Sequence, residues 1–165
     1  MVKNELYTFK EGSLVSAYKI ADFTTTEHLV KTTLSTLRCN SHLQWFAVSY
    51  WAAVGGSIVL TGGCDSDYVP SAQTHMMAVQ TGRWQQKSFP DLNIARMNHA
   101  SLGFANQCYV ACGHADNDLL SSVEMLRLGA HEWELIDIPD LTPRHTPIIA
   151  QIDSNSICIL GGIGR

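Results

Sequence analysis

The sequence predicts an all-β protein assembled from repeated antiparallel four-stranded units. Three observations carry that reading. The chain has an internal period of about fifty residues, a hairpin turn running into glycine recurs at that period, and a tryptophan keeps step with it.

The hairpins come first. Ala53-Val54-Gly55-Gly56-Ser57-Ile58-Val59-Leu60-Thr61-Gly62-Gly63 superposes on the run from Phe104 to His114, and both superpose on the run from Ile152 to Gly162. The copies match on Gly62, Gly113 and Gly161. Each reads as a strand, a tight turn of Gly, Asn, Ser or Asp, and a second strand ending in glycine. Such turns need residues that tolerate positive φ, which makes this hairpin chemistry.

A second pair of strands follows each of the first two hairpins. Thr74 to Val79 leads through Gln80-Thr81-Gly82-Arg83 into Trp84 to Phe89, and Ser122 to Leu128 leads through Gly129-Ala130-His131-Glu132 into Trp133 to Ile138. Trp84 and Trp133 are one period apart, in step with the glycines, and they read as packing residues between units. Arginines at the head of a unit keep the same step: Arg96 precedes Gly113 by the interval at which Arg144 precedes Gly161. Three landmarks in one register make the repeat.

At the start of the chain, Glu5-Leu6-Tyr7-Thr8-Phe9 aligns with Glu124-Met125-Leu126-Arg127-Leu128. Residues 1–21 therefore read as strands three and four of a preceding unit. Residues 22–44 are rich in threonine and read as a long loop. Leu29, Val30, Leu34 and Leu37 leave room there for one short helix capped by Thr26. Arg38 to His42 reads as a diverged unit opening. Two full units follow at 45–92 and 93–141, and a half unit, strands one and two, at 142–165.

This combination of glycine, tryptophan and unit-opening arginine resembles the kelch family. Its repeat is a four-stranded antiparallel blade with a glycine pair after the second strand and a tryptophan on the fourth. The resemblance covers residues 45–165 and implies kelch blades of a partial β-propeller. Three departures stand out. Gly113-His114 replaces the glycine pair, Met77 and Leu126 take the place of the family's strand-three aromatic, and the last unit stops at Arg165. The strands sum to three blades, whereas rings close with about four to eight, kelch rings typically with about six. The expectation is a fragment of a longer propeller. The competing readings are two copies that complete one another's half blades, or a cap on an assembly that supplies the remaining blades.

Composition bounds the function. The 165 residues are 45% hydrophobic and 16% charged, with a formal net charge of -4. No cluster of Lys and Arg suggests a nucleic-acid groove. The longest apolar runs, such as Phe46 to Val54, are too short for a membrane span, and Met1 to Lys10 lacks the features of a secretory signal. Five cysteines without framework spacing fit a reducing compartment. The expected location is cytoplasmic, with a cytoskeletal association as a variant.

Loops after strand two and loops opening the next unit share one end of an antiparallel blade. The resemblance implies that a protein partner binds there. The candidate partner-binding residues are Tyr68, Arg96, His99, His114, Arg144 and His145. Arg96 and Arg144 are placed to grip a carboxylate in bidentate fashion, with planar contacts from Tyr68 and the histidines. The alternative is that both arginines tie adjacent loops together. Asp65/Asp67 and Asp116/Asp118 have oxygen-ligand chemistry, but Asp in such loops usually caps turns. Cys39 and His42, or Cys108 and Cys112, raise zinc; the latter pair lies about 13 Å apart along one strand, too far to share an ion. Gly62-Gly63 is not followed by the Lys of a phosphate loop. No cofactor and no metal is expected. The reading is a non-catalytic interaction or scaffold module. A second reading is a structural component of a cytoskeletal or ciliary assembly. A third is an enzyme resembling the galactose-oxidase-like copper proteins, against which stands the adjacency of Cys108 and Tyr109, whose side chains point to opposite faces of a strand.

Overall fold

The computed structural model describes residues 5–10, 14–19, 30–32, 50–65, 67–78, 83–84 and 89–164. Among these residues all regular structure is antiparallel β, there is no helix, and no sheet closes into a barrel. Met1–Gln44 make one compact unit and Trp45–Arg165 another.

In the first unit, β1 (Glu5–Lys10), β2 (Leu14–Lys19) and β3 (Val30–Thr32) form one sheet in that order. Ala17 stands opposite Thr32, and Lys19 opposite both Glu5 and Val30. Val30–Thr32 fall within the apolar pattern of helical spacing, and they are extended instead. Two of the three are β-branched and favour the strand once β2 offers backbone partners. The rest of 22–44, including Arg38, Cys39 and His42, lies outside the described residues.

The second unit carries two four-stranded antiparallel sheets. One contains β4 (Tyr50–Val54), β5 (Ser57–Thr61), β6 (Thr74–Ala78) and β7 (Arg83–Trp84), in chain order. The next begins with β8 (Ala100–Phe104) and β9 (Gln107–Ala111). Its chain then makes a small excursion, β10 (His114–Ala115) pairing with β11 (Asp118–Leu119). It returns as β12 (Val123–Arg127) and β13 (Glu134–Ile136), in the order β8-β9-β12-β13. A final hairpin pairs β14 (Ile148–Gln151) with β15 (Ile157–Leu160).

The turns correct the register of the repeat by one residue. Gly55 and Gly56 have φ of 54° and 77°, and Ala105 and Asn106 have φ of 50° and 60°. Two consecutive left-handed residues make the two-residue turn whose twist suits a hairpin. These pairs, not Gly55 and Asn106, are equivalent. The same holds at the far end of the strand. Gly62, Cys112 and Gly161 have φ of 55°, 61° and 62°, and the residues after them, Gly63, Gly113 and Gly162, have φ of 98°, 103° and 86°. The second unit's counterpart of the glycine pair is therefore Cys112-Gly113, not Gly113-His114.

The core crosses from sheet to sheet. Ala52, Val54, Val59 and Met76 from the first sheet cluster with Cys108, Val110 and Leu126 from the second and with Trp133, the residue before β13. The Trp133 indole, 3% exposed, donates to the Pro90 carbonyl at 2.8 Å, so its one polar atom is satisfied inside an apolar cluster. The Trp84 side chain lies outside the description. A second cluster, Ala100, Ala111, Cys112, Val123 and Ile149, joins the second sheet to the last hairpin. Cys64, Cys108, Cys112 and Cys158 are thiols, not disulfides.

Where β8 lies against β4, Gly103 has no room for a side chain. A Cβ there would overlap the Ala53 carbonyl oxygen, far inside contact distance, and stand 2.9 Å from Val54 Cγ2. The obstacle is backbone and cannot rotate away. Gly103→Ala is expected to destabilise the fold by about 1–3 kcal/mol, with Gly103→Val worse. Urea denaturation reads this as a lower midpoint at unchanged slope; an unshifted midpoint would mean that the sheets separate at little cost.

Candidate functional site

One end of the sheets is knitted together by a backbone motif that occurs twice. The Gly63 N–H donates to the Arg96 carbonyl (2.9 Å), the Arg96 N–H to the Ser71 carbonyl (3.0 Å), and the Ser71 N–H to the Gly63 carbonyl (2.8 Å). Gly113, Arg144 and Leu120 repeat this cycle at 2.9, 3.1 and 2.8 Å. Each cycle ties the loop after one unit's second strand to the opening of the next unit. The left-handed glycine is needed because backbone lies close against it: a Cβ on Gly113 would stand 2.6 Å from the Met97 carbonyl oxygen, at the opening of the same unit. Further bridges join Met97 with His114 and His145 with Ile163.

The six residues expected to meet a partner divide into two groups. Arg96 and His99 are wholly inside, each 0% exposed. Arg96 does grip a carboxylate, but it is the protein's own. Its Nη2 donates to Glu124 Oε1 at 2.6 Å and to Ser122 Oγ at 3.0 Å. Nη1 donates to the carbonyls of Cys112 (2.9 Å) and Ser122 (3.2 Å), and Nε to that of Ile94 (3.3 Å). All five guanidinium N–H groups are used. Glu124 in turn accepts from the backbone N–H groups of Asn93 (2.6 Å) and Ile94 (3.1 Å) and from Asn93 Nδ2 (3.0 Å). Asn93 Nδ2 also donates to the Trp133 carbonyl at 2.7 Å. The network fastens the unit-opening segment 93–96 to β12. Burial lowers the Arg96 pKa and the nearby Glu124 charge opposes that.

His99 lies beside this network, its Nε2 2.9 Å from Thr61 Oγ1, which also stands 3.0 Å from Ser101 Oγ. Burial, and then the neighbouring Arg96 charge, push its pKa down to about 3. The ring is neutral and structural. Surface recognition by Arg96 and His99 is therefore corrected. An arginine without access to water needs a fixed anion, and β12 supplies one.

The other four residues are accessible. Tyr68, 72% exposed with φ of 61°, stands at the tip of the loop after β5 beside exposed Val69. Asp65 holds that tip: its Oδ1 accepts from the Asp67 and Val69 N–H groups, each at 2.9 Å. This is the turn-capping role of an Asp in such a loop. His114 and His145 meet edge to face, centroids 4.8 Å apart at 66°, both half-buried. The His114 pKa is lowered by burial first and by His145 second. Arg144 is half-buried and donates from Nε to the Thr142 carbonyl (3.0 Å), from Nη1 to the Gly161 carbonyl (2.9 Å), and from Nη2 to Thr142 Oγ1. Beside it an open depression of about 610 Å³ is lined by Asp118, Leu119, Thr142, Pro143 and Gly164.

Sequence reasoning missed Glu124 and Asn93. The available signal was a lone acid inside Val123-Glu124-Met125-Leu126, where an apolar run leaves a charge that must find a partner. Cys108 is 2% exposed, with its pKa raised by burial to about 12, and so stays a thiol; Tyr109 is only half-buried, on the other face of β9. Among the described residues, no three His, Cys, Asp or Glu side chains converge as metal ligands, and no helix is long and apolar enough to cross a membrane. No protein-family model matches the chain, and no curated protein does.

Proposed function

We propose that the chain is a kelch-type segment of a β-propeller and that it works without catalysis, binding a protein partner through its knitted rim. The propeller reading is supported by two four-stranded antiparallel sheets that follow one another in chain order. It is also supported by the packing of first strands: β8 lies against β4 on one side and β14 on the other. Neighbouring blades of a propeller meet in this manner. The observation that carries the binding reading is the loop tip at Tyr68 and Val69. An aromatic and a β-branched residue there face solvent on a backbone that Asp65 rigidifies, so little ordering entropy opposes contact. His114, Arg144 and His145 extend the surface on the following unit's loops.

A photo-crosslinking residue placed at Tyr68 is expected to capture a defined partner. The same residue at Asn106, on the turn at the opposite end of the strands, is not. Tyr68→Ala should then weaken binding of the captured partner by tenfold or more. Equal capture at both positions, or unchanged affinity of Tyr68→Ala, would remove the rim from the proposal. A cytoplasmic location belongs to the same proposal, and four thiols among the described residues are consistent with it.

A further inference from the structure

The loop after β5 and the β10–β11 hairpin are both fastened to one short segment. Gly63, at the foot of the loop, donates to the Arg96 carbonyl at 2.9 Å. The next residue, Met97, exchanges N–H donation with His114, the first residue of the hairpin, at 3.0 and 2.8 Å. Arg96 adds no accessible charge here, because its guanidinium is spent inside on Glu124. The outward groups are Asp67, Tyr68 and Val69 on the loop and Asp116 on the hairpin, all exposed. Two features of the loop tip bear on what it can hold. First, the tip is closed on itself. The Asp65 N–H donates to the Val69 carbonyl and the Tyr68 N–H to the Asp65 carbonyl, both at 3.2 Å, besides the two bonds that Asp65 Oδ1 accepts. Tyr68 is thus presented on a fixed backbone, and among the described residues its ring meets no other ring. Second, the Asp67 carboxylate is not spent on that turn, which takes only its N–H. Neither Asp67 nor Asp116 enters an ion pair among the described residues.

An open aromatic face beside an uncommitted carboxylate attracts a cation twice, through the ring quadrupole and through the charge. The wider field has the same sign. Residues 45–165 carry eleven Asp and Glu against six Lys and Arg, and one of the six is the internal Arg96. We propose that Tyr68 and Asp67 together seat a lysine or arginine side chain, and that the partner of this rim is a protein that offers an extended segment bearing such residues. The inference rests on the reading that the rim binds a protein, and it names the chemistry of that protein. Charge complementarity selects the occupant. An acidic segment would be repelled, and a neutral apolar one would take Asp67 and Asp116 out of water without a counter-charge. A segment with an apolar residue between two cations pairs the carboxylates, stacks on the tyrosine ring and covers Val69.

Two measurements test this. In the first, synthetic peptides with a Gly/Ser frame and the central run Arg-Leu-Arg, Gln-Leu-Gln or Glu-Leu-Glu are titrated into the full 165-residue chain, with binding followed by amide chemical shifts. The arginine peptide is expected to shift Tyr68, Val69 and Asp116. It should bind about tenfold tighter than the glutamine peptide, as a cation–π contact and exposed ion pairs together allow, and the glutamate peptide should bind weakest. Asp67→Asn, which keeps the shape, and Tyr68→Leu, which keeps apolar bulk, should each remove about threefold of that preference. Equal binding of the three peptides would overturn the seat. So would shifts centred on the exposed Glu132 and Glu134 instead of the loop tip. The second measurement takes the partner captured through Tyr68. Asp67→Lys should weaken that complex about tenfold or more, mainly by slowing association, and added salt should weaken the wild-type complex. A captured partner that binds Asp67→Lys as well as the wild type would overturn the cationic seat and leave the rim as a binding surface. Absence of specific capture would instead remove the rim reading, and the peptide titration still decides the seat.

Discussion

Arg96→Ala is expected to cost about 3–5 kcal/mol of folding stability, and Glu124→Ala a similar amount, because each leaves the other charge buried without its partner. The size of the effect follows from how fully the pair is enclosed. Neither side chain has measurable exposure, all five N–H groups of Arg96 are engaged, and Glu124 accepts from Asn93 and Ile94 as well as from Arg96. Water cannot replace what either substitution removes. In Arg96→Ala the Glu124 carboxylate keeps its backbone donors but loses its counter-charge. In Glu124→Ala a guanidinium faces an apolar cavity. The double variant Arg96→Met/Glu124→Leu should lose distinctly less than the sum of the single effects, since it removes both charges and keeps the volume. Chemical denaturation of the four proteins gives the coupling directly. Additive losses, or an Arg96→Ala protein with wild-type stability, would show that the 93–96 segment is held by its backbone cycle alone. The same substitution separates a structural arginine from a recognition arginine. A recognition residue would lose binding at unchanged stability, whereas Arg96 is expected to lose stability first.

The repeat was legible in the sequence because its landmarks are local. A turn needing two left-handed residues selects glycine and asparagine, and a strand end pressed against a neighbouring backbone selects glycine. The reading slipped by one residue where that selection is relaxed. Cys112 adopts φ of 61° without being glycine, held by its N–H to the Ser122 carbonyl (2.9 Å) and by complete burial. Matching glycine to glycine therefore aligned Gly113 with Gly62 instead of Gly63. Arg96 was legible as a recurring landmark but not as a buried one, because its anion lies far along the chain on β12 and only the sheet brings them together. Exposure at Tyr68 was easier to foresee. Its segment, Asp65-Ser66-Asp67-Tyr68, carries the short polar residues that cap a surface loop. Arg144 shows the limit of reading by analogy. It occupies the same repeat position as Arg96, yet the acid that makes one arginine internal is not paired with the other.

Below neutral pH the protein is expected to lose stability steeply, and His99 is the main reason. In an unfolded chain a histidine takes up its proton near pH 6.5. In the fold, burial and the Arg96 charge hold His99 neutral down to about pH 3. Between these values the unfolded state binds a proton that the native state refuses, so stability is complete above about pH 6.5 and falls with decreasing pH, at about 1.4 kcal/mol per unit. From pH 7 to pH 4.5 this one ring accounts for roughly 2–3 kcal/mol on the same scale. His75 and His114, whose pKa values are also lowered chiefly by burial, add to the slope in the same direction. The contribution of His99 is isolated by comparison with His99→Gln, which carries no proton in this range and retains an amide for Thr61. At pH 7 the variant should be the less stable protein, because it gives up the fit of the ring against Thr61. As the pH falls its stability should decline more slowly, and the two curves should converge towards pH 4.5. Urea midpoints at pH 7, 5.5 and 4.5 measure this. Parallel curves would mean that His99 accepts its proton in the folded protein, and that the core around Arg96 admits water.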